Sequence, residues 1–245
     1  MKKTISIIAI IFLSLNTMYS QDLQTDKFDT NEGELTINFV KHASLFFEFD
    51  GKTIHIDPVT QMGNYTNYPK ADLILITHHH GDHLDLNAIN LLKKENTKII
   101  LTQKCDEFSE NLTDIIAMKN GDALEINQLE ITAIPAYNII NKRETGEPFH
   151  PKGDGNGYII KFGDKNVLIG GDTENIPELK ALENIDIAFL PMNLPYTMTP
   201  EMVADAAKAF RPKVIYPYHY GNTDTSKLIE LLKDEKDIEV RIKKM

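Results

Sequence analysis

Residues 72–85 read DLILITHHHGDHLD. The run from Asp72 to Thr77 is almost wholly apolar, the pattern of a strand buried on both faces. Behind it comes the spacing His-x-His-x-Asp-His, filled by His78, His80, Asp82 and His83. In extended chain, residues i and i+2 point the same way, so His78 and His80 can grip one metal ion. Gly81 is expected to permit a sharp turn. Asp82 and His83 then return from the far side and can grip a second ion. Imidazole and carboxylate are zinc-type ligands. Two such ions about 3.5–4 Å apart can share a hydroxide and clamp a substrate oxygen. Random placement of 8 histidines in 245 residues would give this pattern roughly once in a couple of thousand such chains. The competing reading is a solvated polar loop. Its place at a strand end, where α/β sites sit, favours the metal reading.

Two further strand ends supply the ligands such a site still needs. Gly170-Gly171-Asp172-Thr173 closes one buried run, with glycines that allow close approach. Asp172 can bridge both metals there, or serve only as a turn or cap residue. Tyr218-His219-Tyr220-Gly221 closes another. His219 can complete the second site, or be a satisfied core histidine.

Around these motifs the chain alternates strands and helices. Residues 35–40, 45–49 and 53–57 read as strands, with Asp50-Gly51 as a hairpin turn. Residues 86–94 look helical and 98–102 return to strand. Residues 123–126 and 129–135 form a pair around Asn127-Gln128. Residues 158–162 and 166–169 flank Gly163-Asp164. Strands at 185–191, 213–218 and 238–242 alternate with helices at 200–210 and 225–233. Thr199 is the N-cap and Pro200 the first residue of the former helix. Strand pairs followed by strand–helix alternation, in two halves, point to sheets covered by helices in one domain.

The order His-x-His-x-Asp-His, GGDT, HYG resembles the metallo-β-lactamase-fold hydrolase superfamily. The nearer likeness is to its metal-dependent hydrolase branch, which includes ascorbate-6-phosphate lactonase-like proteins. Phe39-Val40-Lys41-His42-Ala43-Ser44 is similar to that branch's opening strand, and His55-Ile56-Asp57-Pro58 to its buried aspartate motif. The likeness runs over residues 35–222. It implies an α/β four-layer αββα sandwich with the metals at the edge between two sheets. It also implies His78 and His80 on the first metal, Asp82, His83 and His219 on the second, Asp172 as the bridge, and Asp57 orienting the ligand loop.

The chain departs from that pattern in one place. The superfamily supplies a third histidine to the first metal in a Pro-Ala-x-His-like context. Here the residues are Pro135-Ala136-Tyr137-Asn138, and Asn is a weak zinc ligand. Residues 146–152, Gly-Glu-Pro-Phe-His-Pro-Lys, offer His150 as the substitute. The alternatives are a loop histidine fixed for shape, or a first metal with water in the histidine's place. His79 occupies the variable position of the motif and is expected to point away. His42 is expected in the pocket or in core packing, and His55 in a structural role. Arg143, Lys152 and Tyr196 lie in loops that could line the entrance and meet an anionic group.

Composition bounds the function. Hydrophobic residues make up 42% and charged residues 25%, a globular balance. Lys plus Arg number 26 against 36 for Asp plus Glu, a net charge of −10. That opposes a general nucleic-acid binder, which needs cationic surface to displace counterions. Met1-Lys2-Lys3, an apolar run to Leu15 and a polar stretch to Ser20 read as a signal peptide over residues 1–20. The run is shorter than the roughly 20 residues that span a bilayer as a helix. Residues 21–34 read as a linker, and 35–245 as the hydrolase domain. The single Cys105 excludes an internal disulfide and a cysteine-rich zinc module, and it is expected to be buried.

The function expected is that of an exported hydrolase with two divalent metal ions. Zinc is the default, and manganese or iron suit mixed oxygen and nitrogen ligands. A metal-bound hydroxide would attack an ester, lactone, amide or phosphodiester of a small substrate, with Asp82 holding and relaying the proton. By the resemblance, aspartate at position 172 instead of cysteine is unlike the common zinc β-lactamases. The rival readings are a non-catalytic metal-binding protein of the same fold and a nuclease. No nucleic-acid partner and no stable membrane insertion after processing are expected.

Overall fold

Asp50 and Gly51 both adopt left-handed backbone angles, φ 48° and 70°, which a two-residue hairpin turn requires. The chain therefore reverses there between two adjacent strands. The computed structural model describes residues 23–109 and 112–245. The expected leader, residues 1–20, lies outside them.

The first sheet comprises β1 (Gln24–Thr30), β2 (Gly33–Lys41), β3 (Ser44–Phe49), β4 (Lys52–Ile56), β5 (Leu73–Leu75), β6 (Lys98–Thr102) and β7 (Ile115–Met118), paired in that order. Pairing is antiparallel from β1 to β4 and parallel from β4 to β7. The second sheet comprises β8 (Ala123–Ile126), β9 (Leu129–Ala136), β10 (Gly155–Phe162), β11 (Lys165–Ile169), β12 (Ile187–Pro191), β13 (Val214–Tyr218) and β14 (Glu239–Val240). It repeats the scheme, antiparallel through β11 and parallel beyond. The α-helices among the described residues are α1 (Leu86–Leu92), α2 (Pro177–Lys180), α3 (Pro200–Phe210) and α4 (Ser226–Leu232).

Side-chain alternation explains the layers. Leu73 and Leu75 join the cluster between the sheets, while Ile74 and Ile76 pack with Ala88, Ile89 and Leu92 of α1. Both faces of β5 are covered, hence its unbroken apolar run. On the second sheet, Ile187 and Phe189 face the first sheet, and Ala188 and Leu190 face Val203, Ala207 and Phe210 of α3. The result is the αββα sandwich that the resemblance implied. Thr199 caps α3 by accepting from the Met202 N–H at 3.1 Å.

Several expectations need correction. Residues 21–34, read as a linker, contain β1, which pairs along β2 from Gln24↔Phe39 to Thr30↔Gly33. Its Asp26 carboxylate accepts from Tyr216 Oη at 2.5 Å and meets Arg241 and Lys243. The stretch QTDKFDT is polar because it is an edge strand, half solvated. Strand β7 and helix α2 were not foreseen; four residues are too few to show a period. The last strand is only Glu239–Val240. Among the described residues, no helix is long and apolar enough to cross a membrane.

Candidate metal centre

Thr77 marks the point where the first sheet gives out. Its carbonyl accepts from the Asn156 N–H of β10 at 2.9 Å, which joins the two sheets at this edge. Past it the chain makes one helical turn: the N–H groups of His83 and Leu84 both donate to the His80 carbonyl at 2.9 Å. Gly81 is outside the left-handed region and has open space where a Cβ would sit. The turn therefore does not need its freedom, contrary to the expectation.

Three histidines share one tautomer. Thr77 Oγ1 donates to Asp57 Oδ2 at 2.7 Å and accepts from His78 Nδ1 at 3.0 Å. His83 Nδ1 donates to Asp57 Oδ2 at 2.8 Å. His150 Nδ1 donates to Asn138 Oδ1 at 2.8 Å. With Nδ1 so engaged, each ring turns its Nε2 toward the centre. Those Nε2 atoms lie 3.9, 3.5 and 3.2 Å from the Asp172 carboxylate, for His78, His83 and His150 in turn. His219 Nε2 lies 3.5 Å from Asp172 and 3.5 Å from Asp82.

The glycines before Asp172 are needed. Gly171 has φ +64°, and a Cβ there would come within 2.7 Å of the Asn156 carbonyl. Three non-glycine residues of the centre are also left-handed: His42 at 61°, Asp57 at 42° and His219 at 47°. Such backbone costs of order 1–3 kcal/mol per residue and clusters at functional sites. The His219 N–H donates to the His42 carbonyl at 2.9 Å, so two of these residues hold each other across the sheet ends.

The donor atoms fall into overlapping groups: His78, His80 and His150; His42, Asp82, His83 and His219; and His78, His83 and Asp172. Metal–ligand bonds of about 2.0–2.2 Å put tetrahedral donor atoms about 3.4 Å apart, close to the separations above. His83 Nε2, both ring nitrogens of His219 and Asp172 Oδ1 are buried without a hydrogen-bond partner. Orphaned donors of this kind, turned toward one another, fit divalent cations.

The electrostatics agree. Burial, then the neighbouring His83, pushes His78 well down. Burial, then His150 and His79, pushes His80 down to about 4. Burial works against a charge on His83, yet Asp172 and Asp57 outweigh it and raise that imidazole well above its usual range. Burial likewise opposes ionised Asp172 and Asp82. His219 and His83 outweigh it for Asp172, and His219 and His42 for Asp82, so both carboxyls are held well below the carboxylate range. The centre thus presents ionised carboxylates and calls for positive charge at His83.

A cavity of about 340 Å³ opens on this cluster, walled by His42, His80, Asp82, His150, Asp172 and His219 together with Arg143, Phe149, Asn193 and Tyr196. The Arg143 guanidinium lies over the Phe149 ring, 5.0 Å from its centroid. Phe149 meets Tyr196 edge-on at 5.1 Å. Lys152 is outside this wall: its Nζ pairs with Glu178 at 2.6 Å and sits 4.7 Å over the Tyr137 ring. The expectation that it lines the entrance is corrected. The Asn138 side chain is spent on other partners: Oδ1 accepts from His150, and Nδ2 donates to Glu174 and the Tyr196 carbonyl. His42 Nε2 lies 3.0 Å from Asp82 Oδ2, in the pocket. His79 belongs to none of the ligand groups. His55 donates to the Pro69 carbonyl at 3.0 Å and stacks on Phe46, a structural role. Cys105 is buried. Sequence reasoning missed Asn193, Phe149 and the buried Glu174. Only Glu174 carried a signal, as a carboxylate two residues after Asp172.

The model of the Beta-lactamase superfamily domain matches residues 36–219. The UPF0173 metal-dependent hydrolase of Methanopyrus kandleri is 30% identical over 201 residues, covering 76% of this chain and 84% of that one. A crystal structure from Parabacteroides distasonis, of a protein named for metal-dependent hydrolase activity, aligns with a TM-score of 0.85. It is 47% identical and covers 91% of this chain and 99% of its own. Igni18, a metallo hydrolase from Ignicoccus hospitalis, shares the fold at a TM-score of 0.71 and 24% identity, over 86% of this chain and 95% of its own.

Proposed function

Since the chain belongs to the family of the Beta-lactamase superfamily domain and is a metal-dependent hydrolase, we propose that it is exported and uses two divalent cations to hydrolyse a small anionic ester, lactone, amide or phosphodiester. The observation that carries the reading is the convergence of four imidazole Nε2 atoms, from His78, His83, His150 and His219, within 3.9 Å of the Asp172 carboxylate.

In this proposal His78, His80 and His150 would hold the first cation, Asp82, His83 and His219 would hold the second, and Asp172, within reach of both groups, would serve each. Bound there, such ions supply a hydroxide at neutral pH and polarise a substrate oxygen. Zinc fits these ligands, as do manganese and iron. Asp82 is 44% exposed on the cavity side, the most open of the paired carboxylates in the centre. It orients the attacking water and relays its proton, with His42 beside it. Arg143 at the cavity wall meets an anionic group of the substrate. The net charge of −10 supports a small molecule over a nucleic acid. The basic and then apolar start of residues 1–20 supports export.

The test is metal content by elemental analysis for wild type and His150→Ala, with a panel of esters, lactones, amides and phosphodiesters assayed with and without chelator. Two metals per chain, chelator-sensitive hydrolysis and its abolition in Asp82→Asn are expected. Absence of tightly held metal, or turnover at the wild-type rate in Asp82→Asn, would sink the reading. Metal binding with no turnover across the panel would leave a binding protein.

A further inference from the structure

Asn138, two residues past the end of β9, is 4% exposed. Its side chain is fully engaged. Oδ1 accepts from the His150 backbone N–H at 2.8 Å and from His150 Nδ1 at 2.8 Å. Nδ2 donates to Glu174 Oε1 at 3.2 Å and to the Tyr196 carbonyl at 2.9 Å. The partners fix the amide's orientation, since a carbonyl oxygen must face the N–H groups and an NH₂ must face the acceptors.

Glu174 is buried, 1% exposed, and is not among the residues that line the cavity. Besides Asn138, it accepts from the backbone N–H groups of Ile139 and Ile140 at 2.8 Å and of Asn141 at 2.7 Å. Consecutive backbone N–H groups around a carboxylate form an anion nest. A buried carboxylate is tolerated only when its lone pairs are met in this way.

We propose that Glu174 and Asn138 are positioning residues which together convert a distant histidine, His150, into the third ligand of the first metal. The idea rests on the two-metal reading above. Glu174 anchors the loop that leaves β9, and the loop aims Asn138. Asn138 then fixes both the backbone and the ring tautomer of His150, 12 residues on, so that Nε2 faces Asp172 at 3.2 Å. Only an amide serves at position 138. Aspartate would accept from His150 but could not donate to Glu174, and it would bury a second negative charge against the first. Leucine would do neither.

The relay makes the two metal sites separable. Cobalt titration of the mature apo protein, followed by its visible ligand-field bands and by metal content, reads both. In Asn138→Leu the first site weakens by about 10–100-fold, the usual loss when a ligand's hydrogen-bond partner is removed. Bound cobalt at limiting concentration falls from two toward one per chain. The site of Asp82, His83 and His219 still fills at its wild-type concentration. Glu174→Gln, which turns an NH₂ toward the N–H nest, shifts the first site in the same direction and is the variant to read if Asn138→Leu does not fold. Two sites filling at wild-type concentrations in either folded variant would overturn the relay, as would equal weakening of both sites. His150→Ala, run in parallel, separates the two ideas. Metal loss in His150→Ala without loss in Asn138→Leu overturns the relay alone. No loss in His150→Ala overturns the ligand reading beneath it.

Discussion

His83 Nδ1 donates to Asp57 Oδ2 across 2.8 Å, and neither side chain reaches solvent. The same carboxylate accepts from the Thr77 N–H and from Thr77 Oγ1, each at 2.7 Å. One buried aspartate therefore sets the end of β5 and the tautomer of a proposed ligand at once. Asp57→Asn keeps the shape and tolerates the left-handed backbone, yet it must turn an NH₂ toward one of three donors. The expected outcome is a 10–100-fold loss of metal affinity at the second site. A stability loss of about 1–3 kcal/mol should accompany it, from the unmatched donor. Metal titration and urea denaturation of the apo protein measure the two effects. Wild-type affinity in this variant would refute the orienting role.

Two glycines of the centre should behave oppositely. Gly171→Ala puts a Cβ within 2.7 Å of a backbone carbonyl at φ +64°, and the strain and clash together cost about 2–4 kcal/mol. Gly81→Ala enters open space and should stay within about 0.5 kcal/mol of wild type. Thermal melts of the two variants side by side decide this.

His55 predicts a pH dependence outside the metal centre. Burial pushes its imidazole down to about 4, with the Pro69 hydrogen bond opposing. The unfolded chain binds a proton near pH 6.5 that the folded chain refuses until about pH 4. Stability is therefore lost as pH falls through that window, by on the order of 3 kcal/mol in total from this group. His55→Phe should start less stable, with the Pro69 carbonyl unpaired, but should lose less between pH 7 and pH 4.5. Equal slopes for the two proteins in denaturant midpoint against pH would contradict the assignment.

Arg143 and Lys152 should separate in kinetics. Arg143 stands in the cavity wall, so Arg143→Ala should raise KM for an anionic substrate about tenfold or more, with a smaller change in kcat. Lys152 pairs with Glu178 at the surface, and screened surface pairs contribute little. Lys152→Ala should leave KM and the melting temperature unchanged. A KM effect from Lys152 alone would reverse the placement of the substrate's charge.

Much of this protein is legible in sequence because its signals are local. The run 72–77 is apolar at every position but its ends, since Leu73 and Leu75 meet one layer and Ile74 and Ile76 another. His78, His80, Asp82 and His83 lie within six residues of one turn, so their convergence follows from covalent spacing. GGDT and HYG mark strand ends for the same reason. Strand β1 was hidden because an edge strand with polar faces reads as a linker.

By itself, the sequence determined the strand–helix alternation in two halves, the strand ends that carry the site, and the chemistry of most donor atoms; the sandwich followed from the resemblance those motifs carry. Only the tertiary structure shows that His150, not Asn138, turns its ring toward Asp172, and that Arg143, not Lys152, lines the cavity. Each choice depends on where a loop of irregular backbone lies, and no periodicity governs such a loop. Its course is set by Glu174, which reaches Asn138 and the N–H groups of residues 139–141 from more than thirty positions away in the chain. Hydrogen bonds across that separation leave no spacing to read, and so the approach of His150 to the His/Asp cluster is recognisable only once the chain has folded.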